Sequence, residues 1–165
     1  MNELRCQLNC CRYIVNEPTC RTYTPPKETQ SRLKKAGMCV YDLKYGSVLL
    51  VQSRGNLWGF PKGSLLPQED VKDGAIREVF EETGLTISKE QLNDFLIIKG
   101  RSIYYMIDTE KTDVCVQNSV EDNDANGIGW FKMECLSNLI ETKQISLNSH
   151  SKILIAKIER KFVKG

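Results

Sequence analysis

Residues 63–85 read GSLLPQEDVKDGAIREVFEETGL and follow directly on WGFPK (58–62). Gly59, Pro61, Gly63 and Pro67 punctuate the first half, so 55–70 is expected as a turn-rich loop. From Val71 to Thr83 the apolar residues take a helical period, with Gly84 placed to stop the helix. On a wheel of about 100° per residue, Glu78, Glu81 and Glu82 fall within roughly a quarter turn, because i, i+3 and i, i+4 positions are neighbours. Ala75, Ile76, Val79, Phe80 and Thr83 lie on the other side. One face can therefore pack on a sheet while the other gathers three carboxylates. Their mutual repulsion is costly unless cations occupy the face, and hard divalent ions such as Mg²⁺ or Mn²⁺ take such oxygen ligands and share them with phosphates. A solvated acidic face, partly neutralised by Arg77 four residues before Glu81, is the alternative reading of the glutamates taken alone.

Gly63, Glu69 and then Arg77-Glu78-Val79-x-Glu81-Glu82-x-Gly84-Leu85 match the spacing G-x5-E-x7-R-E-U-x-E-E-x-G-U at every specified position. In this the chain resembles the Nudix hydrolases. A chance match has odds of roughly 10⁻⁹ per starting position at average residue frequencies. The resemblance implies an α/β class, with a Nudix-type α/β/α sandwich around a mixed β-sheet. It also implies metal-dependent hydrolysis of a nucleoside diphosphate linked to another group. By position, Glu78, Glu81 and Glu82 would be catalytic metal ligands, helped by the carbonyl of Gly63. Glu69 and Arg77 would brace the loop, and Lys62 would place a point charge on a phosphate oxygen. The cofactor implied is Mg²⁺ or Mn²⁺.

The flank WGFPKG is similar to that of the mRNA-decapping Nudix enzymes, although diadenosine polyphosphate hydrolases also carry Pro-Lys-Gly. Decapping enzymes hold a glutamate, thought to be the general base, ahead of a late Glu-Trp-Phe stretch. Here EDNDANGIGWF offers Asp124 at the nearest offset and Glu121 beside it, and aspartate shortens the reach by one methylene. The closing segment NSHSKILIAKIERKFV reads as an amphipathic helix, on which Lys157, Arg160 and Lys161, with Lys152 and Lys164, would track an RNA backbone. The alternative is a core-packing helix with a solvated basic face. Arg5, Arg12, Arg21, Lys27, Arg32, Lys34 and Lys35 would extend the track, with Tyr13 and Tyr23 stacking on bases. For a cationic methylated guanine the candidate platforms are Trp58, Trp130 and the pair Tyr104-Tyr105.

The resemblance thus implies decapping of capped RNA, releasing methylated guanosine diphosphate and 5′-monophosphate RNA. A small nucleotide or inositol polyphosphate substrate, as in diadenosine polyphosphate or diphosphoinositol polyphosphate hydrolases, is the second reading. A Nudix-fold module that binds RNA without turnover is the third. Intact glutamates at 78, 81 and 82 speak against that one.

The remaining sequence sets the frame. A chain of 165 residues fits one domain. Residues 1–35 are expected as a basic, cysteine-containing arm, and 36–165 as the catalytic domain ending in the basic helix. AGMCVYDL and SVLLVQSR read as a hairpin, FLIIKG, SIYYMID, VCVQ and IGWFKM as further strands, and SKEQLNDF as a short helix. The net charge of +2 conceals basic ends and an acidic centre: 1–37 sums to +4, 38–142 to −7 and 143–165 to +5. That layout suits a metal site flanked by surfaces for a long anion. No apolar run approaches spanning length and the start resembles no signal peptide, so a cytoplasmic protein without membrane contact is expected. The seven cysteines are odd in number and irregular in spacing, which points to reduced thiols rather than a secreted disulfide framework. Zinc at Cys6, Cys10, Cys11 and Cys20 is disfavoured, because no C-x-x-C pair occurs and the single histidine, His150, is distant in sequence.

Overall fold

The computed structural model describes residues 2–15, 32–53, 56–115 and 125–164. In chain order the strands and helices are β1 (Asn2–Arg5), β2 (Arg12–Val15), β3 (Lys35–Asp42), β4 (Ser47–Ser53), β5 (Leu57–Gly59), β6 (Lys62–Ser64), α1 (Val71–Thr83), β7 (Phe95–Ile98), β8 (Ser102–Asp108), β9 (Ala125–Lys132), α2 (Met133–Glu141), β10 (Ser146–Leu147) and α3 (Ser149–Lys164). A 3₁₀ turn at Lys89–Gln91 takes the place of the short helix expected there.

The main sheet runs β1-β2-β9-β4-β3-β8-β7. It is mixed: β3 and β8 are parallel, and the other pairs along this path are antiparallel. Its inner strands are nearly continuous apolar runs because both faces are covered. Met38, Val40, Leu49, Val51, Ile103 and Ile128 pack with Ala75 and Val79 of α1. On the opposite face Cys39, Val48, Leu50, Tyr104 and Phe131 pack with Leu136 and Leu139 of α2 and Leu154 and Ile158 of α3. The α/β/α layering is the one implied by the sequence. Among the described residues no helix is long and apolar enough to cross a membrane.

Four features depart from expectation. The first residues are polar by composition, yet they form a hairpin whose second strand pairs with β9 through Tyr13, Ile14 and Val15. Tyr13 is buried against Trp58 and Phe131, which holds this part of the expected arm on the sheet. The loop before α1 contains β5 and β6, bound to β4 and β3 respectively. Val114 and Cys115 lie in no strand. And α2 occupies 133–141, where no helix was anticipated.

Candidate active site

Helix α1 begins where the Asp70 side chain accepts from the backbone N–H of Asp73 at 3.3 Å. It ends at Gly84, whose φ of 76° is left-handed and lets its N–H bond back to the Phe80 carbonyl. Ala75, Val79 and Thr83 are buried as the wheel requires, but Phe80 is 47% exposed, so the packed face is narrower than expected. The turn leading into α1 is braced by Arg77. Its Nε and Nη2 donate to the two oxygens of Glu69 at 2.8 and 2.9 Å, and Nη2 also reaches the Ser64 carbonyl at 3.0 Å. This two-pronged, charge-assisted pair joins loop to helix with fixed geometry. Glu69 Oε1 further accepts from the Leu66 N–H at 3.1 Å. The Arg77 hydrogen bonds hold the Glu69 carboxyl below the usual carboxylate range.

The other arm of Arg77 turns to the helix glutamates, with Nη1 2.8 Å from Glu78 Oε1 and 3.2 Å from Glu81 Oε2. Glu82 is almost fully buried, and its Oε2 accepts from the Lys62 backbone N–H at 3.0 Å. Strand β6 is thereby pinned against α1 on the line where Gly63 meets the Glu78 carboxylate. A Cβ at Gly63 would collide with that carboxylate, which explains the glycine in terms of close approach. Burial pushes the Glu78 carboxyl up, against the opposing pull of Arg77. Glu69, Glu78 and Glu81 share one guanidinium, and Glu82 adds a fourth carboxylate beside them. An all-oxygen cluster with this charge excess fits a hard divalent cation.

On the far side of β6 the charge reverses. Strand β6 lies beside β3, and β3 beside β8, so Lys62, Gly37 and Tyr104 stand abreast. The Tyr104 hydroxyl is 3.0 Å from Nδ1 of His150, in the first turn of α3. Burial lowers the His150 pKa, and the charges of Lys62, Lys99 and Lys35 lower it further. Burial likewise raises the Tyr104 phenol, with the Glu82 charge adding to it. Four carboxylates thus lie along the α1 side of β6, while the charges of Lys62, Lys99 and Lys35 act on His150.

Of the residues singled out in the sequence, Lys62, Gly63, Glu69, Arg77, Glu78, Glu81 and Glu82 come together. Lys157, Arg160 and Lys161 do not join them. They line a groove of about 640 Å³ with Leu96, Ile153 and Ala156, and Lys161 pairs with Asp94 at 3.3 Å. From His150 to Lys161 is eleven residues, or about 16 Å of helix. Trp58 and Trp130 present no face to a ligand: Trp58 is 1% exposed between Tyr13 and Phe131, and Trp130 is buried with Nε1 donating to the Thr112 carbonyl at 2.8 Å. Tyr13, Tyr104 and Tyr105 are also buried. Asp124 and Glu121 lie outside the described residues, as do Arg21, Tyr23 and Lys27. His150, Lys35 and Lys99 were not singled out for the catalytic edge. Only strand pairing reveals that positions 35, 62, 99 and 150 converge.

Residues 31–150 match the NUDIX domain family. The 111R protein of Invertebrate iridescent virus 3 is 31% identical over 142 residues, covering 84% of this chain and 82% of that protein. The m7GpppN-mRNA hydrolase dcap-2 of Caenorhabditis elegans is 33% identical over 117 residues, covering 67% of this chain and 15% of the enzyme. The crystal structure of the C. elegans Ap4A hydrolase superposes with a TM-score of 0.50 at 26% identity, covering 78% of this chain and 96% of that one. A match over most of the chain, on a helix whose glutamates are already gathered against Gly63, makes this protein a member of the Nudix family, whose hydrolases are divalent-metal-dependent pyrophosphohydrolases.

Proposed function

We propose that this pyrophosphohydrolase cleaves the 5′ cap of RNA, releasing methylated guanosine diphosphate and 5′-monophosphate RNA. The observation that carries the anhydride chemistry is the gathering of Glu78 and Glu81 on Arg77 and of Glu82 on the backbone N–H of Lys62 in β6. Similarity to dcap-2, and 30% identity over 123 residues to the mRNA-decapping enzyme subunit 2 of Arabidopsis thaliana, supports the RNA substrate. The chain spans only 15% and 33% of those two enzymes.

Glu78, Glu81 and Glu82, with the carbonyl of Gly63, would hold Mg²⁺ or Mn²⁺. Such a cation supplies charge neutralisation on the phosphate oxygens and acidifies the attacking water. Glu69 and Arg77 keep the glutamates in place by tying the loop to α1. The lysines bind phosphate oxygens as point charges. Water attacks one phosphorus, the bridging P–O bond breaks, and its electrons leave on the departing phosphate while the water proton passes to a carboxylate base. Asp124 and Glu121 are the sequence's candidates for that base. The basic face of α3, which begins two turns along the helix from His150, would serve the RNA beyond the cap.

The fold likeness to the C. elegans Ap4A hydrolase favours a second reading, a diadenosine polyphosphate substrate gripped by the same lysines. RNA labelled in its cap phosphates, diadenosine tetraphosphate and a diphosphoinositol phosphate, each incubated with Mn²⁺ and with a Glu81→Gln control, separate the readings. Release of methylated guanosine diphosphate from RNA by the wild type alone is the expected result. Cleavage of only the small substrates would replace it with the second reading.

A further inference from the structure

The geometry points to a structural zinc site built from Cys6, Cys10, Cys11 and Cys135, which clamps the N-terminal hairpin to the start of α2. The four Sγ atoms all lie within 4.8 Å of one another, and three of the residues are buried. Cys10 Sγ stands 3.3 Å from Cys135, 3.6 Å from Cys6 and 4.0 Å from Cys11. In a tetrahedral site with Zn–S bonds of about 2.3 Å the sulfurs are about 3.8 Å apart, so the observed separations bracket the required one. A disulfide needs about 2.05 Å and joins only two of the four. Four protein ligands close the coordination sphere, which is the structural rather than the catalytic form of a zinc site.

Backbone donors face two of the sulfurs, while burial pushes the Cys11 and Cys135 thiols up in the absence of an ion. The Cys11 N–H points at Cys6 Sγ at 3.4 Å, and the Lys132 N–H at Cys11 Sγ at 3.1 Å. Lys132 is the N-cap of α2, and Cys135 sits in its first turn, where the helix end carries partial positive charge. Such N–H···S contacts are the outer partners that orient and stabilise metal-bound sulfur. Between Cys6 and Cys11 the chain folds back tightly, with Asn9 at a φ of 58° and its N–H bonded to the Cys6 carbonyl at 2.9 Å. That turn delivers three thiols from one side while α2 delivers the fourth.

The fold also shows what the ion would do. Every residue of β1 is exposed and, among the described residues, the strand pairs only with β2, whose own hold on β9 is three residues long. An isolated hairpin is marginal in water. Binding one Zn²⁺ as four thiolates releases their protons and links position 6 to position 135, closing a long loop of the chain. The sequence reading disfavoured zinc at Cys6, Cys10, Cys11 and Cys20. Cys20 lies outside the described residues, and Cys135 brings a fourth sulfur to the other three.

This inference is independent of the substrate and is tested without an activity assay. Protein purified through EDTA-containing gel filtration is analysed for metals, and its thiols are titrated with a mercurial while released zinc is followed with an indicator dye. The expected result is one zinc per chain, freed as the thiols are modified. Cobalt(II) exchange should give the intense visible bands of a tetrahedral thiolate site in the wild type, a readout that does not depend on any variant folding. Cys10→Ser and Cys135→Ser should lose the zinc, while Cys115→Ser, at an exposed position, should keep it. Absence of zinc with a mass lower by two hydrogens would identify a disulfide and overturn the proposal. Free thiols without metal, iron in place of zinc, or zinc retained by the Cys10→Ser/Cys135→Ser double variant would overturn it equally.

Discussion

Two clusters of side chains, one of carboxylates and one of thiols, differ in how they are assembled. The glutamates at 78, 81 and 82 share one helix and one short stretch of sequence, and the residues that brace them, Gly63, Glu69 and Arg77, lie within 23 residues of chain. The thiols at 6, 10, 11 and 135 are drawn from both ends of the chain and meet because β2 pairs with β9 and α2 follows β9 directly. The first cluster is local and hence visible as a motif. The second exists only once the sheet has formed. Their chemistry differs in parallel: half-open oxygen ligands suit an exchangeable hard cation, whereas four closed sulfur ligands suit a resident one.

The largest effect should come from removing charge at the first cluster. Glu81→Gln, or Glu82→Gln, is expected to lower kcat by the order of 10³-fold, as when a main electrostatic element of an active site is lost. The amide can still accept the Lys62 N–H at position 82, so melting temperature and circular dichroism should stay near wild type. Full activity in either variant would remove that residue from the metal site. Next comes the brace. Arg77→Lys cannot reproduce the two-pronged contact with Glu69 while also reaching Ser64, Glu78 and Glu81. Metal affinity, read from the Mn²⁺ dependence of the rate, should weaken by about 10- to 100-fold, the range found for residues that orient ligands. Gly63→Ala sharpens the same point sterically. Its methyl group displaces the Glu78 carboxylate, and a stability cost of about 1–3 kcal/mol on denaturant unfolding should accompany weaker Mn²⁺ activation. An alanine variant with unchanged metal response would show that Glu78 does not need its place against β6.

These predictions follow what was readable. Helix α1 is legible from Val71 to Thr83 because its period is local and its stop, Gly84, follows directly. Helix α2 was not, since its N-cap is Lys132, whose side chain makes no capping bond, and nothing local announces a start. The hairpin at 2–15 was read as an arm because exposure dominates its composition. The long-range contacts of Tyr13, Cys6 and Cys11 tie it to the core. Trp58 and Trp130 show the same limit from the other side: an indole in an alternating strand reveals a face, not how deep that face lies. The basic face of α3 was legible as a pattern, while its distance from the glutamates was not. Reversing Lys157, Arg160 and Lys161 to glutamate is therefore expected to reduce turnover of long capped RNA by about tenfold and flatten its salt dependence, while a free cap dinucleotide is cleaved as before. Equal loss on both substrates would show that these cations act at the cap rather than along the RNA.

The smallest effect concerns His150, a titratable group beside Lys62 that the motif does not contain. Its Nδ1 stands 3.0 Å from the Tyr104 hydroxyl, and in the neutral tautomer with the proton on Nε2 it accepts from that hydroxyl. Protonation would place a second donor opposite that hydroxyl and a positive charge among Lys35, Lys62 and Lys99. Burial first, and then those lysines, hold the histidine below its ordinary pKa of about 6.5. The folded state therefore binds the proton less readily than the unfolded chain. Stability from this site is present above pH of about 6.5 and is lost as pH falls toward the lower, folded-state pKa. His150→Gln retains an acceptor for Tyr104 and does not titrate, so its melting temperature should decline less than that of the wild type as pH falls below about 6.5. A bound polyphosphate would neutralise the lysines that depress the histidine. Substrate should accordingly lift the His150 pKa and take up part of a proton near pH 6, measurable as a buffer-dependent binding heat with the Glu81→Gln protein. Identical heats in buffers of different ionisation enthalpy would place the phosphates away from the lysine edge.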